Sequence, residues 1–354
     1  MDSFLEDIKF NCDISDARFW GYFSICGLLM RYRDLFRSEM GIAPWTPIHQ
    51  QKIAAWIGRK ESRWADLESR DFRDLTLRGV AYSPFDSAGI NQVLRGDGYV
   101  YGAGYSMYLK PTFFLGRVRS IDLIEGHTVY TTDRELVRDL LTAPAMLQER
   151  SIFIRFEPFM ALLWDKFTEL KPDCGPALSN AFREYGMTPG QSVGSGFARQ
   201  LEHMALAYSG VLVRHEMAES RESVPHWKEL LMQSGDRKTE HFLRAVKDLV
   251  ADNSDAGPLR NIVYTRDRGA LGLFIGLIDG YRRLLFPEVR EAYGRFLMDG
   301  KWDVVEEARR NGYDRFLAIR RKVLELFAGN NEDSFRKGIG EMMGAFDQDH
   351  GSTR

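Results

Sequence analysis

Apolar and polar positions alternate with two different periods along this chain, and they divide it into a helical start, a short β-rich middle and a long helical remainder. Asp13, Ser15 and Asp16 offer N-cap oxygens for a helix reaching about Arg33, and apolar residues on all its faces predict central burial. Its apolar run, Phe19 to Met30 (FWGYFSICGLLM), lies between Arg18 and Arg31. Membrane spans need about 20 residues, so this shorter run reads as a buried helix rather than an anchor. Pro44 and Pro47 interrupt the pattern. A helical pair over 48–58 and 60–70 is then predicted by Ile53, Trp56 and Ile57, followed by Trp64 and Leu67. A short helix from Ser87 to Leu94 runs into the turn Arg95-Gly96-Asp97-Gly98.

From Tyr99 to about Phe156 the signals favour strands. Thr112–Leu115, Val118–Ile124 and Thr128–Thr131 are rich in β-formers, and Glu125-Gly126-His127 suits a hairpin turn. Thr132 and Glu135 form a capping-box pattern that predicts a helix to about Leu141. In Ser151–Glu157, Ile152, Ile154 and Phe156 alternate with Phe153 and Arg155 as in a half-buried strand. After Pro158 the pattern is helical, with breaks at Pro172, 188–196, Pro225, 252–258 and Pro287, and a polar tail, DQDHGSTR, that is expected to fray. The glycine- and serine-containing 188–196 stretch is the best candidate for an internal linker. The fold class is therefore α+β and predominantly helical. A small antiparallel sheet of three or four strands occupies the N-terminal half, and the C-terminal half is all-α. The corresponding domains are a mixed α+β domain over 1–157 and an all-helical domain over 158–350.

Composition narrows the function classes. At 354 residues, 44% hydrophobic and 28% charged, the chain is an ordered globular protein with ample core. Its 48 basic and 50 acidic residues lack the basic excess that phosphate neutralisation demands, which makes nucleic-acid binding an unfavoured reading. Cys12, Cys26 and Cys174 have neither disulfide-framework nor metal-finger spacing and suit a reducing interior. The start MDSFLEDIKF lacks a basic region followed by an apolar run, so a cytoplasmic protein with no membrane span is expected.

Two segments carry candidate chemistry. In Gly98 to Lys110, glycines alternate with tyrosines ahead of a lone lysine. Kinase, P-loop and dinucleotide fingerprints all fail here: position 107 is Met, no GxxxxGK[ST] occurs, and β-formers rather than a helix follow. The segment reads as a tight loop packing tyrosines against the sheet, or as a ligand-binding element in which Tyr101, Gly102, Gly104, Tyr105 and Lys110 line a site. The second segment is the helix over 197–222. His203 and His215 are about 18 Å apart along its axis and cannot share an ion. His215, Glu219 and Glu222 do share a face at i, i+4 and i+7. They are candidate metal ligands, with His241 or Asp267 completing the shell, although neither HExxH nor Glu-x-x-His occurs. Solvated or paired charges are the competing account. Downstream, Asn261–Phe286 reads as an apolar helix whose glycines permit close packing, with Asp279 salt-bridged to Arg282 or Arg283. Gly312 should break or bend the helix over 302–327.

These readings converge on a cytoplasmic binding or accessory protein. Its groove, between the domains and beside the Gly98–Lys110 loop, would take a protein partner or a small molecule. The alternatives are a metal-dependent enzyme with its site on the 197–222 helix, and a metal-free transferase or hydrolase that uses the glycine-rich loop as an anion site. These residues name no cofactor.

Overall fold

Asp13, Ser15 and Asp16 do not cap a helix; they are buried in the middle of one. In the computed structural model, which describes residues 1–170, 176–329 and 332–351, helix α1 spans Asp2–Phe19. The chain divides into two compact units, Met1–Asp165 and Lys166–Arg354. Pro172, Cys174 and the end of the polar tail lie outside the described residues.

In the first unit α1 is the central element. Phe4, Ile8 and Cys12 pack against Leu75, Leu77, Ile90 and Leu94 and the sheet residues Tyr101, Phe113 and Leu115. Ile14 and Ala17 face a second cluster of Tyr32, Leu35, Phe36, Trp56, Trp64 and Leu67, contributed by α2 (Ile25–Met40) and α3 (Gln50–Leu67). The expected helical pair over 48–70 is thus one continuous α3, whose tryptophans are core. The expected helix from Asp13 to Arg33 breaks after Phe19 into a 3-10 turn, and Ser24 then caps α2 by accepting from Gly27 N–H.

β1 (Leu75–Leu77) and β2 (Val80–Tyr82) form a small antiparallel hairpin, followed by α4 (Ser87–Leu94) capped by Asp86. The larger sheet contains β3 (Tyr99–Tyr105), β4 (Pro111–Ile124), β5 (His127–Arg138), β6 (Ala145–Gln148) and β7 (Ser151–Arg155). Its strand order is β3-β4-β5-β7-β6, antiparallel except for the parallel pair β5–β7. The β4–β5 turn is the predicted one. Glu125 and Gly126 both have positive φ, 50° and 84°, as a two-residue type I′ hairpin requires.

Residues 132–138 are strand, not the helix that the capping-box spacing predicts. Glu135 points inward and is held by the buried Arg155, with Nε–Oε1 2.5 Å and Nη2–Oε2 2.8 Å. Thr132 Oγ1 donates to Ile154 O. Pairing on both sides of β5 outweighs a local cap, because capping contributes only about 1 kcal/mol. α5 (Phe156–Thr168) follows β7.

The second unit is helical throughout its described residues: α6 (Pro176–Glu184), α7 (Ser195–Arg221), α8 (Trp227–Met232), α9 (Arg237–Asn253), α10 (Pro258–Thr265), α11 (Arg268–Leu277), α12 (Gly280–Leu285), α13 (Pro287–Asp299), α14 (Asp303–Ala328) and α15 (Glu332–Gly351). The 188–196 stretch joins α6 to α7 within this unit. The apolar helix read over 261–286 is in fact α10, α11 and α12. Asp267 caps α11 by accepting from Ala270 N–H at 2.8 Å, and Asp279 lies in the break before α12. Its glycines do permit close packing: a Cβ at Gly272 would sit 2.8 Å from Ala177 O, and one at Gly276 would sit 2.4 Å from the Leu178 side chain. Gly312 does not break α14, which runs on from Asp303 to Ala328, and its missing side chain makes room for the Phe286 ring. Among the described residues, no helix is long and apolar enough to cross a membrane.

Candidate functional site

The 98–110 segment is mostly strand. Gly98, at φ 75°, makes the turn into β3, whereas Gly102 and Gly104 lie inside the strand. A Cβ at Gly102 would meet Phe114 at 2.1 Å, and one at Gly104 would meet Gln148 at 2.8 Å, so both glycines serve close packing. Tyr101 is buried and donates its hydroxyl to Pro84 O. The Asn91 side chain takes up both backbone groups of Tyr101, each at 2.8 Å, which satisfies the outer edge of β3. Tyr105 is half exposed and stacks on Phe85.

Lys110 is enclosed rather than presented to solvent. Its Nζ lies 3.0 Å from Asp16, 2.7 Å from Ser15 Oγ and 3.5 Å from Asp139. Asp16 also accepts from Leu140 N–H, and Asp139 from Phe113 and Leu141 N–H. Burial pushes the Asp16 carboxyl up to about 7, against the pull of Lys110. The cluster ties α1 to β4 and to the strand end at 139–141. An anion at Lys110 would have to displace two carboxylates.

Beyond Lys110 lies a surface that periodicity assigned to the core. Phe19–Met30 is largely solvent-facing: Ile25 is 81% exposed, and Trp20, Tyr22 and Leu29 are about half exposed. Ile25 and Leu29, and likewise Cys26 and Met30, are i,i+4 pairs on the first turns of α2. The Tyr22 ring stacks on Tyr108 at 5.0 Å and on Phe19 at 5.6 Å. Tyr108 and Leu109, in the turn Met107–Leu109, hold positive φ of 61° and 53°, a costly conformation for non-glycine residues. The neighbouring basic groups are already engaged: Arg18 by Glu68 and Arg70 carbonyls, Arg31 by Leu140 O and Thr142, and Arg33 by Asp34 and Asp165.

The other concentration of titratable groups lies in the second unit, on the facing helices α7 and α9. His215 and Glu219 share one face of α7, and Asp248 and Asp252 share one face of α9. His215 Nδ1 lies 2.8 Å from Asp252 Oδ1, and its Nε2 lies 3.3 Å from Glu219 Oε1. Lys247 Nζ holds the other Glu219 oxygen at 2.7 Å, and Arg282 of α12 lies 3.7 Å from Asp252 and 3.9 Å from Asp248. Burial disfavours the imidazolium, but Asp252 and Glu219 outweigh it and raise His215 well above its ordinary pKa. Burial and then Glu219 push Glu216 up to about 7 and Asp248 up to about 6. Lys247 and His215 hold Glu219 low against its own burial.

Of the metal-ligand candidates, His215 and Glu219 come together, while Glu222 and His241 do not join them. Glu222 accepts from Tyr313 at 2.7 Å and from Arg320. His241 lies about two turns before Asp248 on α9. Asp248 and Asp252 escaped sequence reasoning. Their only local signal is an i,i+4 acid pair, which acquires meaning once α9 is known to face α7. Elsewhere in this unit, a cleft of about 440 Å³ is lined by residues including Arg183, Arg268, Tyr293 and Asp299, and by none of the candidate residues.

Comparison with known proteins gives a family without an activity. Residues 3–155 match the N-terminal domain, and residues 160–344 the C-terminal domain, of a family of unknown function, DUF6866. No curated protein and no solved structure matches the chain. With its matches running through almost the whole sequence, the chain belongs to the family of unknown function DUF6866.

Proposed function

We propose that this protein is a soluble, cytoplasmic binding or accessory protein. It docks a protein partner through the apolar face of Trp20, Tyr22, Ile25, Leu29 and Met30, beside the turn that ends the Gly98–Lys110 segment. The observation that carries this reading is the outward presentation of these side chains from one short stretch, since contiguous exposed apolar surface marks interaction sites. Trp and Tyr at such a face are the residue types that dominate protein-interface energetics. A protein partner is favoured over an anionic lipid surface because Arg18, Arg31 and Arg33 are all held within the fold. Lipid-surface binding relies on clustered free basic groups. The exposed Cys26 thiol on the same face suits a reducing compartment.

The test places a photo-crosslinking residue at Ile25 in cells, with and without Leu29→Asp. A discrete heterologous adduct that disappears with Leu29→Asp is the expected result. Absence of any discrete protein adduct, or sedimentation with anionic vesicles that Leu29→Asp abolishes, would overturn the reading.

A further inference from the structure

We infer that His215, Glu219 and Asp248 form a site for a divalent first-row metal ion, with a solvent-facing position open for water or substrate. One nitrogen or oxygen from each lies within 4.8 Å of the others. Ligands about 2.0–2.2 Å from a shared tetrahedral ion are about 3.3–3.6 Å apart, so side-chain rotations that draw the set together by about an ångström would close it.

One further observation distinguishes this group from an ordinary charged helix pair. The His215 ring is oriented from behind: Nδ1 is engaged by Asp252, whose side chain is only 2% exposed, leaving Nε2 turned toward Glu219. A carboxylate on the far nitrogen fixes the tautomer and raises the basicity of a ligating imidazole, and metal-bound histidines almost always have such a partner. The second oxygen of Asp252 is buried and makes no hydrogen bond, and Arg282 lies 3.7 Å from it.

Two cations already lie beside the carboxylates, Lys247 at 2.7 Å from Glu219 and Arg282 at 3.9 Å from Asp248. Glu219 need not release Lys247, because Lys247 holds Oε2 while Oε1 is the oxygen beside His215. One imidazole and two carboxylates suit zinc, manganese, iron or cobalt better than calcium, which requires six or more oxygens. The three side chains are 21%, 15% and 26% exposed, so solvent reaches the ion's remaining positions.

The test uses the full chain, stripped with a chelator and then titrated calorimetrically with Zn²⁺ and spectroscopically with Co²⁺. One equivalent of Zn²⁺ should bind, and Co²⁺ should give a d–d absorption band without thiolate charge transfer. Asp248→Asn and Glu219→Gln should each weaken binding at least tenfold. Asp252→Asn, a change in the positioning residue, should weaken it about 10- to 100-fold. Glu222→Gln should leave it unchanged. Substoichiometric zinc, absence of the cobalt band, or undiminished binding by Asp248→Asn overturns the site. If the variants fail to fold, the imidazole nitrogen signals of the wild-type protein decide: zinc must shift His215 Nε2, and an unshifted His215 overturns the assignment.

Discussion

Replacing Lys110 by Met removes the charge while keeping most of the side-chain volume, and so isolates the electrostatic role of the cluster at Asp16 and Asp139. Lys110 is 2% exposed, and the two carboxylates beside it are no more accessible. Removing one partner of a buried pair costs about 3–5 kcal/mol because the remaining charge is stranded. For a unit of this size that corresponds to a loss of about 6–20 °C in Tm. The loss should depend on pH. The Asp16 carboxyl is raised from its ordinary value to about 7, so it holds a proton in the folded protein that it loses when unfolded. The stability this carries is full below its unfolded pKa and declines as pH rises through about 7. Protonated Asp16 no longer attracts Lys110, so Lys110→Met should cost less at about pH 5.5 than at about pH 8.5. Urea unfolding of wild type and variant at the two pH values measures the difference. A loss below about 0.5 kcal/mol, or one independent of pH, would refute this account. So would a variant of wild-type stability that has lost binding of a phosphate ligand, since that outcome would make Lys110 an anion contact.

Further substitutions probe the other contacts. Gly102→Ala should destabilise the first unit by about 1–3 kcal/mol by driving a methyl group into the Phe114 ring, and Phe114→Leu should partly relieve it in urea-unfolding measurements. Glu306 is held down to about 2, chiefly by hydrogen bonding from Arg309. Its contribution is present above its unfolded pKa and lost as pH falls from about 4.5 through about 2, so calorimetry should show Glu306→Gln costing about 1–3 kcal/mol at neutral pH and little near pH 2. Arg155→Met should cost about 3–5 kcal/mol by stranding the buried Glu135, and adding Glu135→Leu should recover much of it, as a double-mutant cycle would report. Ile25→Asp should leave the unfolding free energy within about 0.5 kcal/mol of wild type in urea unfolding, because the side chain is already solvated.

The candidate chemistry was only partly visible in the chain. His215 and Glu219 were identifiable because i,i+4 neighbours share a helix face wherever that helix packs. Asp248 and Asp252 became their partners only when α9 lay against α7, and Glu222, on the same helix as His215, was taken instead by Tyr313 and Arg320. The Lys110 site shows the same limit. A lone lysine after a glycine-rich stretch says nothing of the aspartates that enclose it from positions 16 and 139.

Amino-acid order alone settled what depends on neighbours along the chain. The α+β class, the helical C-terminal half, the Ser87–Leu94 helix, the Glu125-Gly126 hairpin and the close-packing role of the glycines after Arg268 all follow from local periodicity and turn chemistry. Tertiary structure decided wherever burial opposed local preference. Thr132–Glu135 has the spacing of a helix cap, yet it is strand because β4 pairs along it, β7 pairs with Thr132, and Arg155 neutralises its acid. Asp13 and Asp16 have the chemistry of caps, yet they are core because Lys60 and Lys110 meet them there. Phe19–Met30 has the composition of core, yet much of it faces solvent. Periodicity reports which residues share a face, and only the packing of distant segments determines what that face meets.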